Sequence, residues 1–136
     1  MRLSVPTLLL ALSLLACNSK EKKFNERSYQ EQKISLAEKE KQSPKTFLRL
    51  SGDDHKNLWG KTVYKGIIKN TATISSYKEI RVKLLYFKQG KEVANHEEFF
   101  DKPIAPNDEF SFKAKYKTPS GTDSVAAYIM RAKAGE

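Results

Sequence analysis

The chain has 136 residues but only one cysteine, one tryptophan and two histidines. The single thiol, Cys17, has no partner for an internal disulfide, so the fold must be held by apolar packing alone. The histidines, His55 and His96, are far apart, and no Cys/His cluster has zinc-site spacing. No G-x-S-x-G, P-loop or G-x-G-x-x-G pattern occurs. That removes the sequence signals for a nucleophile elbow, a phosphate-cradling loop and a dinucleotide fold. Acid is also scarce: 16 Asp and Glu stand against 25 Lys and Arg, for a formal charge of +9. A basic surface favours anionic partners such as lipid headgroups, envelope polyanions or nucleic acid, although solvated lysines with no partner give the same composition.

What is present begins with residues 1–16. Arg2 precedes an apolar run through Leu8, Leu9, Leu10, Leu12, Leu14 and Leu15, with the small Ala16 before Cys17. A charged start, an apolar core and a small residue before a cut site are the parts of a secretory signal. The run is roughly 14 residues, short of the ~20 needed to span a bilayer as a helix. Leu14-Leu15-Ala16-Cys17 resembles the bacterial lipobox. The resemblance implies cleavage before Cys17, a diacylglycerol on its sulfur, usually a third acyl chain on the new amine, and anchoring in the cell envelope. Asn18 rather than aspartate follows, which implies the outer membrane by the enteric rule. For an exported chain, nucleic acid is the least accessible anionic partner.

Residues 17–45 read as a lipidated cysteine and a polar linker, dense in Lys, Glu, Gln and Ser. Few apolar residues occur there, so burial offsets little of the ordering entropy. Residues 26–42 contain good helix formers, and Tyr29, Lys33 and Leu36 share one face as a weak stripe. A fraying helix and a disordered spacer both fit, and Ser43-Pro44 ends either.

From residue 46 to 136 the composition turns to β-branched and aromatic residues punctuated by turns. Thr46 to Leu50 is a short strand candidate, ended by Ser51-Gly52-Asp53-Asp54. Leu58 to Lys69 puts Tyr64, Gly66 and Ile68 on one face and Val63, Lys65 and Ile67 on the other. In Tyr77 to Lys88, the residues Ile80, Val82, Leu84 and Tyr86 form a core face, with Leu85 and Phe87 partly covered opposite. Gly90 supplies a hairpin turn into Glu92 to Phe100. Phe110, Phe112, Ala114 and Tyr116 alternate with Ser111, Lys113 and Lys115, and Ser124 to Lys133 is the last strand. Turns at roughly ten-residue intervals predict an all-β fold, an antiparallel β-sandwich or barrel of about seven strands.

The order of Gly66, Ile68 and Asn70, then Val82 through Leu85-Tyr86, then Gly90, resembles the FxLYD-type immunoglobulin-like domains of bacterial envelope proteins. Phe87-Lys88 stands where that pattern carries its aspartate. The resemblance covers most of residues 58–132 and implies an immunoglobulin-like β-sandwich. It implies no activity.

Nothing in the sequence singles out a catalytic pair, a cofactor site or a metal site. His96 beside Glu97 and Glu98 is a possible metal contact, though an exposed edge reads the same. Trp59 is favoured as a core anchor, with an exposed binding aromatic as the alternative. Lys61, Tyr64, Lys65, Lys113, Tyr116 and Lys117 interleave charge with aromatics, as a polyanion or sugar face would, and as the solvent side of a sandwich also does. The expectation is a non-catalytic binding or assembly module tethered through Cys17. Its expected partner is an envelope protein or an anionic polymer. An envelope hydrolase or metal enzyme built around His96 or His55 is one alternative. A structural lipoprotein contacting anionic polymers is another.

Overall fold

The structure is a computed structural model and describes residues 25–135. The signal segment 1–16 and Cys17 lie outside the described residues. The period-two alternation of Tyr77–Lys88, strand β3, sets the core. Ile80, Val82, Leu84 and Tyr86 are all fully buried, while Leu85 and Phe87 on the other face are half-buried. Two more inward rows close on them: Tyr64 and Ile68 from β2 (Lys61–Asn70), and Ala114 with the partly buried Phe110, Phe112 and Tyr116 from β5 (Glu109–Lys117).

Six strands form two antiparallel sheets. One has the order β1-β2-β5, with β1 spanning Leu48–Lys56. The other has the order β4-β3-β6, with β4 at Lys91–Phe100 and β6 at Ser124–Ala134. The expected antiparallel β-sandwich is therefore present. About seven strands were expected and six form. Residues 44–47 make a 3-10 turn instead of a strand. The segment between β4 and β5 contributes only the isolated bridge Tyr77↔Ile104, because Pro103 and Pro106 cannot donate to a ladder.

A second correction concerns β1. Ser51-Gly52-Asp53-Asp54 does not end the strand; pairing with β2 continues to Lys56↔Thr62. The partner strand supplies the ladder there, and residues 51–56 are polar because both of their faces are exposed. Gly90 takes φ +74°, as the β3–β4 hairpin requires.

Glu26–Gln42 forms an α-helix, α1. Asn25 caps it by accepting from the Arg27 and Ser28 amides, and Ser43 with Pro44 ends it. It is the only α-helix among the described residues, and no described helix is long and apolar enough to cross a membrane. The weak stripe of Tyr29, Lys33 and Leu36 borders a shallow cleft with Thr73 and Ile74. The firm attachment is Glu40, fully buried, whose carboxylate accepts from the Thr73, Ile74 and Ser75 amides and the Thr73 hydroxyl at 2.8–3.0 Å. Asn70, also fully buried, ties the same loop to residues 104–105. The loops 71–76 and 101–108 and the end of α1 thus share one end of the sandwich. The turns at 57–60, 89–90 and 118–123 share the other.

Gly66 marks a close inner contact. A Cβ there would overlap the Phe112 ring and crowd Tyr64. Gly66→Ala is expected to cost about 2 kcal/mol as overpacking. Combining it with Phe112→Leu should recover part of that loss, since the two sites share one space. Urea midpoints of the two single variants and the double variant test both statements.

Candidate functional site: a lysine-paired sheet face

Alternation on β2 and β5 separates the residues interleaved in the sequence. Tyr64 is buried in the core and Tyr116 is half-buried between the sheets. Lys61, Lys65, Lys113 and Lys117 all stand on the outer face of the β1-β2-β5 sheet. The antiparallel register then sets Lys61 directly opposite Lys117 and Lys65 directly opposite Lys113. The lysines converge as the sequence suggested, but the tyrosines do not join them, because neighbouring residues of a strand point to opposite faces.

The rest of this face extends the charge. Arg49, Lys69 and Lys115 also point outward, giving seven cations against Asp53 and Glu109. Like charges directly opposite one another destabilise a sheet, typically by a few tenths of a kcal/mol per pair. None of these seven cations is ion-paired among the described residues. The other sheet also sets cations opposite one another, Arg81 against Arg131 and Lys78 against Lys133, but there Arg81 sits 3.8 Å from Glu97 and over the Phe99 ring, and Lys133 pairs with Glu79. One cation of each opposed pair has an acidic ion-pair partner there, and none of the seven on the β1-β2-β5 face has one among the described residues.

The open face is also concave. Gly52 and Gly66 are register partners, and their bare backbones border a depression of about 740 Å³. Ser51, Ile67 and Ser111 flank it on one side, and Asp53, Lys65 and Lys113 on the other. Small residues at the outward positions 51 and 111 keep the backbone approachable, and the lysines put mobile ammonium groups at the rim. Val63, one row along between His55 and Lys115, faces outward yet is buried. A concave apolar floor with cationic walls can hold an extended anionic chain.

The histidines do not meet. His55 is exposed on the outer face opposite Val63. His96 lies between the sheets, stacked on Tyr116 with ring centroids 4.1 Å apart and edge-on to Tyr86. Glu97 points outward to Arg81, while Glu98 points inward and accepts from the Tyr116 hydroxyl. Burial, and then the hydrogen bond to Glu98, push the Tyr116 phenol well above its ordinary value and keep it protonated. His96, Glu97 and Glu98 are therefore split between two faces. No group of three or more His, Cys, Asp or Glu side chains able to hold a metal ion occurs among the described residues.

Trp59 is not a core anchor. It lies in the β1–β2 turn and is 83% exposed, because the turn falls outside the alternating stretch that faces the other sheet. Sequence reasoning ranked it by size alone. The cross-strand lysine pairs needed the register, which the sequence did not supply. The chain matches no protein-family model, and its sequence matches none of the curated proteins.

Proposed function

We propose that this chain is a non-catalytic binding module of a bacterial cell envelope, tethered through a lipid on Cys17, that holds an anionic polymer on the outer face of its β1-β2-β5 sheet. The observation that carries the binding part is the unpaired lysine row, Lys61 opposite Lys117 and Lys65 opposite Lys113. No described side chain forms an ion pair with these four lysines, whereas a phosphate- or carboxylate-bearing chain running across the strands would neutralise both pairs at once. The tether part is supported by Leu14-Leu15-Ala16-Cys17 and by the polar segment that follows. Two or more acyl chains hold a protein stably on a membrane.

The test uses dextran sulfate against neutral dextran of the same length. The wild-type chain should bind the sulfated polymer only. Affinity should fall about tenfold or more between 50 and 300 mM salt, because exposed charges are screened over roughly 10 Å at 0.1 M. Lys113→Gln with Lys117→Gln, which relieves both lysine pairs and leaves Lys65 opposite Asp53, should abolish most of the binding while leaving the thermal midpoint unchanged or slightly higher. Equal binding to neutral dextran, or a double variant that binds as well as wild type, would overturn the assignment.

A further inference from the structure

The β1–β2 hairpin ends in Leu58 and Trp59, which are 102% and 83% exposed. No described segment covers them, and the turn beneath them is braced. The Trp59 and Lys61 amides both donate to Asn57 Oδ1, at 3.0 and 2.9 Å. The Asn57 amide donates to the Lys61 carbonyl and the Gly60 amide to the Asn57 carbonyl. Gly60 takes φ +67°, and its carbonyl accepts from the Thr118 amide of the neighbouring turn. The exposure is therefore held by the backbone geometry of the turn. Adjacent leucine and tryptophan side chains are presented at a convex tip, a shape that enters a soft apolar phase better than it receives a ligand.

The charge around the tip complements one such phase. Lys61 flanks it on β2 and Lys117 stands opposite Lys61, while the Lys56 ammonium on β1 donates to the Thr122 carbonyl. Lys88 and Lys91 lie at the ends of the hairpin beside it, against Asp54 on the stem and Asp123 in the neighbouring turn. Tryptophan concentrates at membrane–water interfaces, leucine inserts below it, and lysines reach back to anionic headgroups. The helix α1 attaches at the opposite end of the sandwich, so it leaves the tip clear.

The geometry points to a second membrane contact: the Leu58–Trp59 turn inserts into the interface of an anionic bilayer, with Lys61 and Lys117 on the headgroups. This contact shares Lys61 and Lys117 with the polymer-binding face, but its apolar part, Leu58 and Trp59, lies outside that face and stands whether or not that reading holds.

Trp59 is the only tryptophan in the chain and reports on the tip directly. The full chain is mixed with vesicles of phosphatidylglycerol and phosphatidylethanolamine, with and without brominated acyl chains. Trp59 emission should shift to the blue and be quenched by about half on the brominated lipid. Leu58→Ser, which keeps the probe, should reduce that quenching several-fold, as removal of buried apolar area from an interfacial anchor does. Lys61→Glu with Lys117→Glu should weaken it further on anionic vesicles, and neutral phosphatidylcholine vesicles should give roughly a tenth of the effect. Because the quencher senses the position of Trp59 itself, an N-terminal anchor acting alone gives sedimentation with the vesicles but no quenching. That result would overturn the inference. So would quenching that Leu58→Ser leaves unchanged, a chain that does not sediment with the vesicles, or a blue shift seen only on adding a protein and never on adding lipid.

Discussion

Replacing Glu40 by Gln should lower the unfolding free energy by about 3 kcal/mol, comparable to the loss from Glu40→Ala. The carboxylate accepts four hydrogen bonds, two on each oxygen, from Thr73, Ile74 and Ser75. An amide can serve only one oxygen's pair. Its NH₂, best placed against the Thr73 hydroxyl, would still face the Thr73 amide, and a buried donor left unsatisfied and pressed against another costs about 3 kcal/mol. The loss should also depend on pH. Burial alone would raise the Glu40 pKa, but the hydrogen bonds from Thr73, Ser75 and Ile74 outweigh it and hold the carboxyl below its ordinary 4.5. A carboxyl lowered in the folded state contributes stability that is fully present above its unfolded pKa and is lost as pH falls through the folded value. The wild type should therefore lose stability on acidification below about pH 4.5, with a steeper slope than Glu40→Gln shows. Urea unfolding of both proteins between pH 3 and 7 measures this, and parallel curves would remove the charge from the account. The Tyr77 hydroxyl donates to the Glu40 carbonyl and is pushed up to about 12, first by burial and then by the Glu40 charge. Its contribution has the opposite sign, present below its unfolded value of 10.0 and lost as pH rises toward 12.

Glu40 also shows where the sequence stops being informative. A glutamate in a run of Lys, Glu and Gln looks like solvated linker, and the neighbouring Glu38 is exposed. What distinguishes Glu40 is a loop more than thirty residues later whose three amides have no other acceptor, a long-range fact with no local trace. The core strands were legible for the opposite reason. Ile80, Val82, Leu84 and Tyr86 report their burial through the period of their own strand, and so do Tyr64, Gly66 and Ile68. β1 was half legible: Leu48 and Leu50 face the interior, but residues 51–56 are strand only because β2 lies beside them. The candidate site falls between these cases. Its lysines could be named from composition and spacing, since Lys61, Lys65, Lys113 and Lys117 fall on one alternation set. That they oppose one another in pairs depends on the β2–β5 register, and that the tyrosines between them turn inward depends on which face meets the other sheet. Trp59 was misread because size and apolarity rank a residue for the core only when its strand carries it there.

Asn70→Asp is the substitution expected to cost most at neutral pH, about 4 kcal/mol. The Asn70 side chain is fully buried and closes the end of the sandwich. Its Nδ2 donates to the carbonyls of Ser75, Ile104 and Ala105 at 2.9–3.1 Å, and its Oδ1 accepts from the Ala72 amide at 2.9 Å. Aspartate is isosteric, so the cavity stays filled and only the chemistry changes. Three carbonyl oxygens that received two protons would face a carboxylate oxygen, in a site that also disfavours charge by burial. The introduced carboxyl should hold its proton well above the unfolded value of about 3.9. A group whose folded pKa is raised contributes stability that is full below its unfolded pKa and is lost as pH rises through the folded one. Asn70→Asp should therefore be worst near pH 8 and recover steadily toward pH 4.5. The wild type keeps most of its Glu40 contribution over that range, so the two curves should converge from the alkaline side. Asn70→Ala leaves the Ser75 carbonyl and the Ala72 amide without a partner, while the Ile104 and Ala105 carbonyls keep the Tyr77 and Asp108 amides, and it brings no titrating group. It should lose about 3 kcal/mol at every pH in the window. The comparison rests on the pH dependence of the difference between the two variants. If Asn70→Asp and Asn70→Ala unfold with the same offset from wild type at pH 4.5 and pH 8, the three carbonyls do not face the side chain as a donor-seeking cage. Loop 71–76 would then be held to residues 104–105 by other contacts.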